Sequence, residues 1–491
     1  MSINTQNSRI IFGLKVKQFR LANDLSSSDL SKKSGLSLSY LNEIEKGKKK
    51  PRKEKIISLA AALGTTPEEL NSSELRGNLA AIGDLLHSNF LNELPLELFD
   101  IDLSKIVEII AVSPSRVGAF ISTLIEISRN YAFKEENFYF QALRAYQELN
   151  YNYFEEKEAA IAAFVKQFNI PTSRPVPVKL LIRILENHFA YTIIESSFEE
   201  MPVLKTMRSV YIPASKKLYI NKELNAQQKA LQLGKEIAYN YLKLEDRINT
   251  SSFLKVKNFQ TVLNNYFAGY FAVGILVNKN QLINDLRHLF SQTTWQADLL
   301  LELLDKYEVS PEVLFQRFNL LPATLNLKKL FFLRMLNEEE GTSFRIDKEM
   351  HLNRRHLPHA NNLAEHYCRR WLSITQLKAL QSRADTEEQP VVGIQRSRYM
   401  GTDREYLCLT IARPSYFPHT KKVSVTIGLL VDEDLEKHVN FLEDPAIPKR
   451  LVSITCERCP IEDCAERAVP PIVIQKKQQR KAIQDALDQL K

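Results

Sequence analysis

Three cysteines near the C-terminus have a spacing that is typical of metal sites. Cys456, Cys459 and Cys464 form a Cys-x2-Cys pair followed by a third cysteine five residues later, and the 491-residue chain has only five cysteines. Thiolates at this spacing can converge on one soft centre, either zinc or an iron–sulfur cluster. So few cysteines, with three of them clustered, favour a metal in a reducing compartment over a disulfide framework.

A fourth ligand would have to come from elsewhere in the chain. Cys368 is followed by Arg369 and Arg370, whose positive charge would favour its thiolate, and we predict that it is this ligand. Cys408 lies in an apolar strand pattern, where a buried structural cysteine is the default. A histidine that completes a Cys3His zinc site is the alternative, and four histidines precede Cys368: His351, His356, His359 and His366.

The net charge of the chain is confined to its N-terminus. Residues 1–55 carry 13 Lys and Arg against 5 Asp and Glu, whereas the remaining residues carry as many positive as negative charges. Such asymmetry is typical of a surface that binds a polyanion, most simply DNA. The same segment also has strong apolar periodicity, which a merely solvated basic tail would lack.

Apolar residues recur at helical spacing through residues 9–70 and predict four short helices. Gly35-Leu36-Ser37 predicts a turn between the second and third helices, because glycine readily adopts a positive φ. Two short helices joined by such a turn can place the second of them in the major groove of DNA. The segment resembles the XRE/lambda-repressor-like helix-turn-helix family, which implies a DNA-binding domain over residues 1–70. The resemblance rests on Leu25, Leu30, Gly35-Leu36-Ser37, Tyr40-Leu41, Ile44-Glu45-Lys46-Gly47 and Pro51.

The third predicted helix, Leu38 to Glu45, would present its exposed side chains to DNA. Asn can read adenine and Glu can accept a hydrogen bond from cytosine. Base contacts are therefore expected from Ser37, Ser39, Tyr40, Asn42 and Glu43. Phosphate contacts are expected from the lysines that follow: Lys46, Lys48, Lys49 and Lys50. Ser27 stands where the family often carries a Gln that contacts a phosphate, and we include it in the predicted interface.

Residues 71–170 have a helical apolar pattern that fits either an intrachain core or a dimer interface. Regulators of this type usually bind paired half-sites, so a homodimer is expected. The apolar stripe consists of Ile106, Ile109, Ile110, Val117, Ile121 and Leu124.

Residues 171–325 predict a helix that begins at Leu180, three short strands and then a helix, Gln227 to Leu242, and this order resembles the IrrE/ImmA-like zinc metallopeptidase family. That family carries HExxH on the helix, whereas this chain has Lys235 and Tyr239 at the two His positions and keeps only Glu236. A protonated ammonium cannot ligate zinc, and a phenol replaces imidazole poorly. The resemblance therefore implies a degenerate zincin-like domain, and we predict that the chain is not an enzyme. An IrrE-type peptidase that acts on a partner repressor is the disfavoured alternative.

Residues 326–475 contain several strand patterns and predict an α+β sensor domain, followed by a charged helical tail over 476–491. The run Cys456 to Pro471 closely resembles the C-terminal signature of the short-chain fatty acyl transcriptional regulators of RamB and PrpR type. The pair Cys368-x2-Trp371 resembles the upstream part of that signature.

The resemblance implies a transcriptional regulator that carries a four-iron four-sulfur cluster and senses a short-chain acyl-CoA. The cluster would be held by Cys368, Cys456, Cys459 and Cys464. A purely structural zinc site on the same cysteines remains the alternative. Coenzyme A would need cations for its phosphates and an apolar slot for its acyl chain. The candidates for that pocket are Arg369, Arg370, Trp371, Arg396 and Arg398.

The composition predicts a mainly α protein whose C-terminal part is α+β. Hydrophobic residues make up 44% and charged residues 25% of the chain, and the 14 glycines are few for a β architecture. The longest apolar run, Phe267 to Val277, is too short to span a bilayer. No charged leader with an apolar stretch opens the sequence, so a cytoplasmic protein without a membrane partner is expected.

Overall fold

The computed structural model describes residues 3–75, 135–199, 201–251, 256, 258–339, 343–352, 365–383, 389–415 and 421–489. The predicted apolar stripe from Ile106 to Leu124 lies outside the described residues, as do His356 and His359. The chain divides into two compact units, residues 1–142 with 257–260 and residues 143–256 with 261–491.

The first unit begins with a bundle of short helices. They are α1 (Ile3–Ala22), α2 (Ser27–Ser34), α3 (Leu38–Glu45), α4 (Lys53–Leu63) and α5 (Pro67–Asn71). The four helices predicted for residues 9–70 are present, and α5 is an additional one that Thr66 caps and Pro67 begins. The apolar faces form one buried core: Phe12, Val16, Leu30, Leu36, Leu41, Ile44, Ile56, Leu59, Ala60, Leu63 and Leu70.

The described residues from 135 to 324 form a series of helices and one small three-stranded sheet. The elements are α6 (Glu135–Leu149), α7 (Glu155–Gln167), α8 (Val178–Phe189), β1 (Thr192–Ser196), β2 (Ser209–Ile212), β3 (Lys217–Asn221), α9 (Ala226–Tyr241), α10 (Phe259–Leu276), α11 (Lys279–Phe290), α12 (Ala297–Tyr307), α13 (Pro311–Gln316) and α14 (Leu321–Thr324). The strand order is β1-β3-β2, with β1 parallel and β2 antiparallel to β3. Asn225 caps α9 in a capping box with Gln228, which fixes where this long helix begins.

A six-stranded sheet dominates the C-terminal part and confirms its predicted α+β character. The elements are β4 (Leu330–Glu339), β5 (Ser343–His351), α15 (Leu372–Gln381), β6 (Val391–Tyr399), β7 (Glu405–Pro414), β8 (Lys422–Leu430), α16 (Glu433–Glu436), β9 (Lys449–Val452) and α17 (Ile472–Gln489). The strand order is β5-β4-β8-β7-β6-β9, and only the β6–β9 pair is parallel. Helix α15 packs on β6, β7 and β8, and its Ile374 and Leu377 are fully buried.

Helix α17 contains no buried residue. It covers the segment for which a charged, solvated helix was predicted and begins slightly earlier, at Ile472. Within the described residues, every helix is too short or too polar to cross a bilayer.

Candidate nucleic-acid interface and cysteine cluster

Local capping fixes the two helices that carry the predicted DNA contacts. Ser26 caps α2 in a reciprocal capping box with Asp29, and Gly35 ends the helix with a φ of 70°. Ser37 then caps α3, because its hydroxyl accepts a hydrogen bond from the backbone N–H of Tyr40 at 3.3 Å. The turn between the helices is therefore set by residues within it, as the sequence predicted.

The orientation of α3 is set by its buried side. Leu41 and Ile44 are fully buried in the helical core, which turns the opposite face of the helix outward. Helix α1 approaches α3 closely at Gly13, where an added Cβ would lie 2.2 Å from the carbonyl oxygen of Ile44. On the outward side, Ser39 and Asn42 are exposed. This arrangement presents an amide and a hydroxyl to solvent on the face that a base edge could meet.

A buried ion pair fixes the end of α3. Arg20 on α1 donates two hydrogen bonds to the carboxylate of Glu45, from Nε at 2.6 Å and from Nη2 at 3.0 Å. A third bond, from Nη1 to the carbonyl oxygen of Leu25 at 2.9 Å, reaches the segment just before α2. Both charged side chains are only 10% exposed. The pair therefore connects α1, the start of the helix-turn-helix and the end of α3, and sequence reasoning missed it because the partners are 25 residues apart.

The predicted phosphate-contacting lysines have different environments. Lys46 and Lys48 are exposed at the end of α3. Lys49 forms an ion pair with Glu43 at 2.8 Å, and this hydrogen bond raises the pKa of the lysine. Lys50 donates to the hydroxyl of Ser8 at 3.1 Å and lies over the ring of Phe12, and burial lowers its pKa. Lys46 and Lys48 thus present exposed side chains that can meet a phosphate.

Two further predicted contacts border this surface. Tyr40 is half-buried, and the Nζ atoms of Lys49 and Lys55 lie 5.9 Å and 4.7 Å from the centre of its ring. Cation–π attraction of this kind holds an ammonium on one side of an aromatic face. Ser27 is half-buried at the start of α2. Lys55 was not predicted, although its position four residues after Pro51 placed it in the basic segment.

The cysteine region combines two segments that are far apart in the sequence. Tyr367 and Thr455 form an antiparallel bridge. Around it, the backbone N–H of Cys368 donates to Ile454 at 3.1 Å, and that of Cys456 donates to His366 at 2.8 Å. The thiol sulfur of Cys368 accepts a hydrogen bond from the backbone N–H of Ser453 at 3.4 Å. The predicted fourth ligand therefore lies beside the strand that leads into the cysteine cluster.

Internal hydrogen bonds stabilise the loop that carries Cys456, Cys459 and Cys464. The backbone N–H of Cys459 donates to Cys456 at 3.2 Å, which makes a tight turn of the Cys-x2-Cys pair. Arg467 donates to the carbonyl oxygens of Cys456, at 3.1 Å, and of Ile461. The backbone N–H of Ala468 donates to the sulfur of Cys456 at 3.5 Å. Arg467 was not predicted, and the only signal for it was its position three residues after Cys464.

The free thiols of this region and the N–H groups beside them fit a bound metal, but the spacing of the side chains does not. All five cysteines are free, and Cys368, Cys456 and Cys459 are buried while Cys464 is partly exposed. Backbone N–H groups that point at sulfur are the outer-shell contacts that tune metal-bound thiolates. Among the described residues, however, no three Cys, His, Asp or Glu side chains converge closely enough to hold a metal ion. Burial raises the pKa of the Cys368 thiol to about 11.

The remaining candidates of the C-terminal domain are mostly engaged within the fold. Trp371 is buried and donates from its indole N–H to Ser453 at 2.8 Å, and Arg396 forms ion pairs with Glu405 and Glu443. Two more of the predicted pocket residues contact other parts of the protein. The guanidinium carbon of Arg369 lies 4.6 Å from the ring centre of Phe344, and Nη1 of Arg370 donates to the carbonyl oxygen of Leu451 at 3.2 Å. Arg398 is exposed.

Cys408 lies on β7 within the buried core of the C-terminal domain, and the same core contains Cys368. Burial raises its pKa to about 12. His366 is bound by Glu457, whose carboxylate lies 2.8 Å from its Nδ1.

Three polar side chains of helix α9, Lys235, Glu236 and Tyr239, are bound by partners from other parts of the chain. The ammonium of Lys235 donates to the side-chain oxygen of Asn265 on α10 at 2.8 Å, and the hydroxyl of Tyr239 donates to the same oxygen at 3.1 Å. Glu236 is bound by Arg247, from Nη2 at 2.7 Å and 2.8 Å. Lys235 and Tyr239 therefore share one amide oxygen as their hydrogen-bond acceptor, and the carboxylate of Glu236 is neutralised by a guanidinium.

Comparison with known proteins found a family match for the N-terminal helices. Residues 16–70 match the helix-turn-helix family designated HTH_3. The chain is 33% identical over 75 residues to the control protein C.BamHI of Bacillus amyloliquefaciens, an alignment that covers 15% of this chain and 93% of that protein. A solved structure titled Mycobacterium tuberculosis transcriptional regulator covers 68% of this chain and 94% of its own, with 18% identity and a TM-score of 0.47.

The capped α2–turn–α3 unit, the family match and the likeness to the control protein define the class of protein as a DNA-binding transcriptional regulator rather than an enzyme. Through residues 16–70, the chain belongs to the helix-turn-helix family.

Proposed function

We propose that the protein binds a specific operator through α3 and controls transcription in response to a signal received by its C-terminal domain. The observation that carries the first part is the exposed face of α3, fixed by the caps at Ser26 and Ser37 and by the Arg20–Glu45 ion pair. In this proposal Asn42 reads a base edge, and the lysines at the end of α3 contact phosphates. Regulators with this motif pair their half-sites, so the proposal includes a homodimer on a two-fold symmetric site.

Replacing Asn42 with alanine should remove the preference for one base but keep the general affinity of the protein for DNA. A bidentate contact from Asn to adenine contributes roughly 1–3 kcal/mol of discrimination against the wrong base. An operator would first be selected from random duplexes with the unaltered protein, and affinities for it and for single-base variants would then be compared. We expect Asn42→Ala to lower the affinity for the operator, to flatten the preference at one base position of each half-site, and to keep the salt dependence.

Lys48→Gln is the matched control for that experiment, because Lys48 is exposed beside the same helix. It should weaken binding to all duplexes by a similar factor and leave the base preference intact. An equal loss of affinity for every duplex with Asn42→Ala would show that Asn42 does not read a base.

We further propose that Cys368, Cys456, Cys459 and Cys464 hold a four-iron four-sulfur cluster. No three of these side chains, all of which the structure describes, converge closely enough to hold a metal, so the proposal rests on the thiol donor set, the backbone pairing of residue 367 with 455, and the N–H groups directed at two of the sulfurs. Such a cluster would supply one-electron redox chemistry. In this proposal the chain's own part is to exclude water from the buried thiols and to donate hydrogen bonds to sulfur. A purely structural zinc on the same cysteines is the alternative.

Metal analysis after anaerobic purification tests this part of the proposal. We expect about four iron atoms per chain and broad visible absorption, both lost with Cys368→Ser. Cys408→Ser is the matched control and should keep both, since Cys408 lies in the β7 core. Colourless protein that contains zinc would favour the structural site, and unchanged iron content with Cys368→Ser would exclude this cysteine as a ligand.

The signal that we propose for the C-terminal domain is a short-chain acyl-CoA or a change in the state of the cluster. Coenzyme A phosphates would need free cations, and of the predicted residues Arg398 is exposed, whereas Arg396 is engaged with two carboxylates. The peptidase alternative gains no support, because Lys235, Tyr239 and the Arg247-bound Glu236 offer no zinc-binding pair of imidazoles.

A further inference from the structure

A large apolar side chain is exposed on the helix that we propose to read bases. Leu38, the first residue of α3, is 46% exposed. The other aliphatic residues between Ser27 and Glu45 are at most 7% exposed: Leu30, Leu36, Leu41 and Ile44. Single exposed leucines are common on protein surfaces, so the meaning of Leu38 depends on what surrounds it.

Leu38 borders the outward face of α3. Leu41 and Ile44 turn into the core. Asn42 follows Leu38 by four residues, a spacing that places two side chains next to each other on a helix. Ser39 and Asn42 are exposed as Leu38 is. These three residues therefore form one surface at the N-terminal part of α3, the part of a recognition helix that contacts base edges in helix-turn-helix proteins.

The chemistry of leucine limits what Leu38 could contact in the major groove. Its side chain has no donor or acceptor for a phosphate or for a polar base edge. The apolar group that base edges present in this groove is the C5-methyl group of thymine. A contact with that methyl group removes apolar surface of both partners from water, whereas a polar base edge beneath the leucine would lose its hydration without a hydrogen bond in return.

We propose that Leu38 contacts the methyl group of a thymine and thereby selects that base in the operator. This inference rests on the proposed function, because it requires α3 to lie in the major groove. Four residues separate Leu38 and Asn42 by about 6 Å along the helix axis, and successive base pairs are about 3.4 Å apart. The thymine should therefore lie within about two base pairs of the adenine that Asn42 reads.

Deoxyuridine tests the contact, because it pairs as thymidine does and lacks only the methyl group. The thymines of an operator selected with the unaltered protein would be replaced one at a time, and affinities measured by fluorescence anisotropy. Loss of one methyl contact should lower the affinity of the unaltered protein about fourfold at one position of each half-site. Leu38→Ala should bind the thymine and deoxyuridine operators equally, because the side chain that covers the methyl group is absent.

Two further variants distinguish a base contact from a general effect of mutation. Leu38→Met keeps an apolar side chain of similar volume and should retain most of the difference between thymine and deoxyuridine. Leu21→Ala removes a leucine that is 54% exposed near the end of α1, and it should leave that difference unchanged. Circular dichroism verifies that each variant is folded.

Equal binding of thymine and deoxyuridine at every position by the unaltered protein would overturn the assignment, and so would a Leu38→Ala variant that keeps the difference. If Leu38→Ala changed the oligomeric state and not the response to deoxyuridine, Leu38 would belong to a protein interface instead. Failure to select any operator would contradict the proposed function itself. A selected operator that does not respond to deoxyuridine would contradict only the role of Leu38.

Discussion

Replacing Lys46 and Lys48 together with glutamine is expected to lower the affinity for duplex DNA about 60-fold at ~0.1 M salt. The reason is counterion release, since each phosphate contact that a cation makes frees condensed ions, and the binding constant then falls as the salt concentration raised to a power of about 0.9 per contact. Both lysines are exposed at the end of α3. The measurement is fluorescence anisotropy of a labelled duplex at several salt concentrations.

The same titration gives a second, independent readout. The slope of the logarithm of the binding constant against the logarithm of salt should become shallower by about 1.8. A variant with Lys216→Gln and Lys217→Gln makes the same change of charge on exposed residues of the second unit. It should leave both affinity and slope unchanged. A slope that stays constant in the Lys46 and Lys48 variant would mean that these lysines meet no phosphate.

Replacing Arg20 with methionine is expected to destabilise the N-terminal domain by about 3–5 kcal/mol, which is the usual cost of removing one member of a buried ion pair. Glu45 would then keep a charge at 10% exposure with no guanidinium to bind it. Because Glu45 ends α3 and Arg20 also binds the carbonyl oxygen of Leu25, the loss should reach the whole helix-turn-helix. Urea unfolding followed by circular dichroism measures the effect, and DNA affinity should fall for all sequences.

A double variant separates the ion pair from simple packing. With Arg20→Met and Glu45→Leu together, no unpaired charge remains, and most of the lost stability should return, as it does when buried ion pairs are replaced by apolar groups of similar size. Arg9→Met removes a half-buried charge from the same helix and serves as the control. If the double variant were less stable than Arg20→Met, the ion pair would not be the source of the effect.

Much of the N-terminal domain could be predicted because its determinants are local. Ser26, Gly35 and Gly64 cap helices within a few residues of their own positions, and apolar spacing gives the buried face of each helix. Several strands within residues 326–475 were likewise indicated by apolar patterns. Strand β5 has a weaker apolar pattern, because Asp347, Lys348 and Glu349 follow one another in it, and its place in the sheet depends on pairing with β4.

The electrostatic contacts could not be predicted in the same way. The sequence shows four lysines between positions 46 and 50. It does not show that Lys49 pairs with Glu43 or that Lys50 binds Ser8 of α1. Similarly, the missing His residues of α9 were evident from the sequence. The sequence did not show that Asn265 would bind Lys235 or that Arg247 would bind Glu236, because these partners lie in other segments of the chain.

The sequence by itself determined the class of protein, because charge confined to residues 1–55, caps and a glycine turn are properties of neighbouring residues. It also determined the spacing of Cys456, Cys459 and Cys464 for the same reason. Only the tertiary structure decided that residue 367 pairs with 455, that Arg20 binds Glu45, and that Lys235 donates to Asn265. Those contacts join segments separated by 25 residues or more, and their energies depend on burial, which appears only when the chain packs.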